Sequence, residues 1–200
     1  MKTESILFAV GGMLFGVIVG WIIGAQQQPG RAAAGAAPVQ EAPAQAGGGQ
    51  TQPQPPVLDE GRVQALQTIV NSDPKNIEAR VQLANTYFDA ERYQDAIKWY
   101  EEVLRLDPKN VNASTDLGVS YYYANNPDRA LKQFEHSLSV DPKHTKTLLN
   151  QGIVRAFGKQ DLDGATASWQ RVVELAPDSQ EGQAAKRALD TMKSAHPGGT

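Results

Sequence analysis

The chain contains no cysteine. That absence excludes a disulfide framework, a thiolate metal site, a cysteine nucleophile and a lipoprotein acylation site, and it leaves either redox compartment open. Histidine is nearly absent too. His136, His144 and His196 are the whole complement, and no two of them stand at a metal-binding spacing. Positive charge is not in excess, with 19 Lys and Arg against 22 Asp and Glu for a net charge of −3, so no basic face calls for nucleic acid. Acidic neighbours such as Glu101 and Glu102 suit a solvated helix face, and Asp161 with Asp163 lacks the remaining ligands of a calcium loop. The expectation is a chain without enzymatic activity, metal or cofactor.

What the sequence does hold begins with an uncharged apolar run, Ile6 to Ala25. As a helix its length is about 30 Å, the thickness of a bilayer core, and it exceeds the usual core of a signal peptide. Residues 1–25 therefore read as a transmembrane anchor. Lys2 against the sparse charge beyond the run favours a cytoplasmic amino terminus, which places the remainder on the periplasmic or extracytoplasmic side. Gly12, Gly16, Gly20 and Gly24 recur on one helical stripe, a pattern that lets two membrane helices approach closely as a homodimer. Residues 26–56 are almost entirely Ala, Gln, Gly and Pro with only Arg31 and Glu41 charged, a composition that cannot offset the entropy of ordering and reads as a disordered linker.

Beyond the linker, prolines set a period. Asp73-Pro74, Asp107-Pro108 and Asp141-Pro142 recur every 34 residues, and Ala176-Pro177 follows after 35. Each precedes a polar link and then apolar residues at helical spacing, so the expected class is all-α, built of paired antiparallel helices. In the first pair, Asn76 caps a helix burying Val81, Ala84, Tyr87 and Phe88; Glu91-Arg92 turns the chain, and Tyr93, Ala96, Ile97, Tyr100, Val103, Leu104 and Leu106 form the apolar face of the second helix. Small residues mark close helix approach, Ala84 with Ala96 and then Gly118 with Ala130.

These residues resemble the tetratricopeptide repeat family. Residues 111–144 carry Leu117-Gly118, Tyr121, Ala130, Phe134 and Pro142; residues 77–110 carry Leu83-Ala84, Tyr87, Ala96, Tyr100 and Pro108. A third unit, residues 145–179, keeps Gly152, Ala165, Trp169 and Pro177 but has Gln151 and Arg155 where leucine and tyrosine are usual, with one extra residue near Gln160 to Gly164. Residues 57–76 read as a partial repeat and residues 180–195 as a closing cap helix.

The resemblance implies a superhelix whose first helices line a concave, peptide-binding groove. The residues projecting there would be Asn85, Phe88 and Asp89, then Asp116, Val119, Tyr122 and Tyr123, then Lys146, Asn150, Ile153 and Phe157. Rings offer area at low entropy cost and amides pair with backbone. Tyr121, Tyr122 and Tyr123 point about 100° apart on a helix and cannot all be core. Asn85 and Lys146 match the family's carboxylate clamp, whereas Val81, Asp116 and Asn150 do not, which argues against a chaperone-tail receptor. The expected function is a membrane-anchored interaction scaffold with a protein or peptide partner, similar to bacterial anchored repeat proteins such as those serving cytochrome c maturation. The competing expectation is a structural subunit of a membrane complex that uses its convex face.

Overall fold

The computed structural model describes residues 56–195. These residues contain eight α-helices: α1 (Glu60–Ser72), α2 (Ile77–Asp89), α3 (Tyr93–Leu106), α4 (Val111–Tyr123), α5 (Pro127–Val140), α6 (Thr145–Ile153), α7 (Leu162–Leu175) and α8 (Gln180–Ala195). Each helix packs on the next in the chain, and α6 also packs on α4 and α8.

Local chemistry sets the period. At each Asp-Pro step the carboxylate accepts from the backbone N–H two residues on: Asp73 from Lys75 (3.1 Å), Asp107 from Lys109 (3.2 Å) and Asp141 from Lys143 (3.0 Å). The proline ends the helix before it, and the residue three past the aspartate starts the next. Asn76 and Asn110 then cap α2 and α4, accepting from Ala79 and Ala113 at 2.9 and 3.0 Å. Turns within the pairs use a left-handed residue, Glu91 (φ 56°), Asn125 (φ 60°) or Gln160 (φ 56°).

Within each pair an aromatic knob meets a small residue. Ala84 and Tyr100, Gly118 and Phe134, and Gly152 and Trp169 are all buried. A Cβ on Gly118 would lie 2.7 Å from Phe134 Cδ1, and one on Gly152 would lie 2.6 Å from Trp169 Cδ1, so only glycine admits those rings. The main core joins Ala84, Ala96, Ile97, Tyr100 and Val103 to Leu117, Tyr121, Ala130 and Phe134. A second cluster seats Val63, Leu66 and Val70 of α1 on Ala79 and Leu83. At the other end Ala184, Ala185 and Ala188 of α8 are buried.

Three expectations change. Leu106 is an exposed residue at the end of α3, not part of its apolar face. The extra residue of the third unit is taken up before the turn, not at Gln160 to Gly164. There α6 runs on into one π-helical turn, Val154–Gly158, and Asp161 caps α7 by accepting from Gly164 N–H at 2.9 Å. Localisation is corrected as well. The anchor at 1–25, its stripe Gly12, Gly16, Gly20 and Gly24, and the linker at 26–56 up to residue 55 lie outside the described residues. Among the described residues no helix is long and apolar enough to cross a membrane, so the expected single-pass membrane placement with an extracytoplasmic repeat domain does not stand. The longest of them, α8, has 16 residues, about 24 Å of rise against roughly 30 Å of bilayer core.

Candidate peptide-binding face

The first helices α2, α4 and α6, with the π-helical turn that follows α6, carry the expected site residues. From α2, Asn85 is exposed and its Oδ1 accepts from the buried Tyr100 hydroxyl at 2.6 Å. Burial first, then the nearby carboxylates Asp116 and Asp89, push the Tyr100 phenol well above its ordinary range, so it stays a donor to Asn85. Desolvation also raises the Asp89 carboxyl, against the attraction of Arg62. Asp116 and Val119 on α4 are half-buried.

The aromatic residues converge. Tyr93, from the start of α3, stacks on Tyr123 with ring centres 5.0 Å apart, and Phe88 meets both edge-on at 5.3 and 5.6 Å. Tyr122 stands 5.9 Å from Tyr123. All four rings are half-buried, so they form a surface cluster joining the first two repeats where sheer core packing would have hidden them. Burial raises the Tyr122 and Tyr123 phenols, the latter helped by Tyr93 and Tyr122 and by Glu91, which keeps both neutral at ordinary pH. Tyr121 behaves as the helical geometry requires and turns into the core. Its hydroxyl donates to Glu101 at 2.5 Å and accepts from Arg129 at 2.7 Å, and burial with the Glu101 acceptor pushes its pKa up to about 12.

The third repeat departs from expectation. Lys146 Nζ is bound to Asp116 Oδ1 at 2.7 Å, so its charge is committed across the repeat boundary. Asn150 and Ile153 are buried, because α6 is packed by α4, α5, α7 and α8 together. Asn150 spends its amide on the Lys146 carbonyl at 2.9 Å. Phe157, in the π-helical turn, is 41% exposed. The structure thus gathers Phe88, Tyr122 and Tyr123 in one cluster and pairs Asp116 with Lys146, leaves Asn85 and Asp89 exposed on α2 and Val119 half-buried on α4, and encloses Asn150 and Ile153.

Sequence reasoning missed two features. Tyr93 reads in sequence as one more residue of the apolar face of α3, whereas at the first position of that helix its half-buried ring reaches Phe88 of α2 and Tyr123 of α4. The other is a polar seam that runs from inside the second repeat to the start of the third. Ser137 Oγ donates to Ser114 Oγ (2.8 Å), Thr115 and Thr147 hydroxyls meet at 2.6 Å, and His144 Nδ1 lies 2.7 Å from Thr147 Oγ1. His144 sits where Asn76 and Asn110 cap the earlier units, yet caps nothing; its Nε2 reaches Asn112 Oδ1 at 3.2 Å. Burial lowers its pKa.

Comparison with known proteins agrees with this architecture. Tetratricopeptide repeat models match residues 77–143 and 115–180. No curated protein matches the sequence significantly. Among solved structures, that of MamA is similar at 19% identity and TM-score 0.55, over 66% of this chain and 81% of that one. The first repeat domain of Spaghetti (RPAP3), bound to the HSP90 peptide SRMEEVD, shares 25% identity with TM-score 0.55 over 62% of this chain and 94% of that one. The second repeat domain of human RPAP3, in complex with the HSP70 peptide SGPTIEEVD, gives 21% identity and TM-score 0.51 over 57% and 92%. With its helix pairs, its 34-residue period and both family models in agreement, the chain belongs to the tetratricopeptide repeat family.

Proposed function

We propose that this protein is an interaction scaffold that holds a peptide segment of a partner protein against α2 and α4, with Phe88, Tyr93, Tyr122 and Tyr123 as the apolar grip. The observation that carries the reading is the half-buried ring cluster, which keeps aromatic area at the surface of the first two repeats. Rigid rings of this kind are favoured where a partner is held, since they supply contact area with few rotatable bonds. Repeat domains of RPAP3 seen with chaperone peptides support the class of function. Those peptides end in Glu-Glu-Val-Asp, whereas here Asp89 and Asp116 flank the rings and Lys146 is already paired with Asp116. With Lys146 committed to Asp116 and Asp89 beside the rings, the favoured segment is one without a free carboxy terminus at the grip.

The test is a photoreactive phenylalanine analogue at position 123 in the intact cell, with mass spectrometry of the product and a control at the exposed Lys132 of α5. A discrete adduct from position 123 and none from 132 is expected. Adducts from 132 alone would move the interface to the second helices and favour a purely structural subunit.

A further inference from the structure

On the side of the molecule built by the second helices, a cleft of about 700 Å³ opens between the end of α1 and the outer face of α3, over the start of α2. Val70 and Trp99 form its apolar wall, and Arg80, Lys98, Glu102 and Arg105 its polar one. Arg80 is the unusual member. Its side chain is only 7% exposed, one terminal nitrogen donates to the Asn76 carbonyl at 2.9 Å, and its Nε is buried with no hydrogen-bond acceptor. A buried donor of a charged group left unfilled is costly, and structures rarely keep one without a use.

The cause is a shortage of carboxylate. Glu102 Oε2 stands 3.8 Å from Arg80 Nε, too far to accept, because the same carboxylate is held by Arg105. Glu101 is turned to the Tyr121 hydroxyl and Arg129, and Lys98 is paired with Asp95. Two guanidinium groups thus share one carboxylate beside an indole and a valine. A second carboxylate arriving from outside would take over Arg105 and release Glu102 onto the Nε of Arg80, leaving both guanidinium groups matched. Trp99 and Val70 would cover an apolar side chain next to it.

We propose that this cleft is a second binding site, which takes an acidic side chain flanked by apolar residues on a partner peptide. It shares no residue with the aromatic grip, so the two sites stand or fall separately.

The probe pair is the peptide acetyl-Phe-Glu-Phe-amide and its Gln counterpart, titrated into the isotopically labelled full chain while the Trp99 indole N–H signal is followed, assigned with Trp99→Phe. The Glu peptide should move that signal saturably, and the Gln peptide should bind at least about tenfold more weakly, the equivalent of one charged hydrogen bond. Arg105→Gln should weaken the Glu peptide by a similar factor. Glu102→Gln removes the internal competitor and should tighten it several-fold; if that variant does not fold, the comparison of the two peptides and Arg105→Gln decide. Equal response to both peptides, or unchanged affinity in Arg105→Gln, would overturn the proposal.

Discussion

Replacing Gly118 with Ala tests the knob-and-hole packing at its tightest point. In an exposed helix the change would stabilise by about 1 kcal/mol through propensity. Here the new methyl would lie 2.7 Å from Phe134 Cδ1 and closer still to Cε1, roughly 1 Å inside an ordinary carbon–carbon contact of about 3.5–4.0 Å. Phe134 is completely buried and cannot swing into solvent, so α5 must move or the ring must leave its rotamer. Overpacking of this kind costs about 1–3 kcal/mol, and the tightness argues for the upper part of that range. The expected net loss is about 1–2 kcal/mol, read as a lower urea midpoint, with Tm falling by about 2–4 °C per kcal/mol. Phe134→Leu alone should also destabilise, by on the order of 1–2 kcal/mol, through the cavity it leaves. Together the two changes should cost less than their sum by at least about 1 kcal/mol, since the methyl then occupies the space the ring vacated. A Gly118→Ala protein as stable as the parent, or a double variant that is strictly additive, would refute the assigned register of α4 on α5.

His144 gives the pH dependence. Its folded pKa lies below the unfolded value of about 6.5, so the unfolded chain binds the extra proton; the stabilising contribution is complete above about pH 6.5 and is lost as pH falls toward the folded value. His144→Asn, the residue at the matching cap positions 76 and 110, should flatten the fall in urea midpoint between about pH 7 and pH 5 and add a side-chain cap; an undiminished slope would point to other groups. Gln160→Gly relieves a left-handed residue at some cost in unfolded-state entropy, for an expected gain of about 0.5 kcal/mol in chemical denaturation, and a loss would mean that the Gln160 side chain itself holds the turn.

The legible part of this protein was the part written in short-range chemistry. An aspartate before a proline closes a turn two residues on, an asparagine three residues past that aspartate caps the next helix, and a small residue faces an aromatic sixteen or seventeen positions later. All three signals repeat, so class and period were open to reading. Polar partnerships between helices were not. Ser114 with Ser137 and Thr115 with Thr147 lie 23 and 32 residues apart, and a hydroxyl carries no mark of its partner. Gln151 and Arg155 looked like degeneration, yet Ser168 Oγ lies 3.1 Å from Gln151 Oε1 and accepts from Arg155 at 3.0 Å. The leucine and tyrosine of the other units have been exchanged for a hydrogen-bonded set that keeps α6 on α7.

That exchange bears on how long the partner segment can be. In the first two repeats the helix positions matching Asn150 and Ile153 are Gln82 with Asn85 and Asp116 with Val119, none of them fully buried. In the third both are enclosed, the lysine that could have reached a ligand is bound to Asp116, and α8 packs on α6 and α7. A partner able to use every first helix would need the Lys146–Asp116 pair opened and α6 released from its neighbours, which costs more than a short peptide returns. On the proposed reading, the grip would end at Tyr122 and Tyr123. Phe157, exposed in the π-helical turn after α6, would then meet the end of such a segment and not its centre.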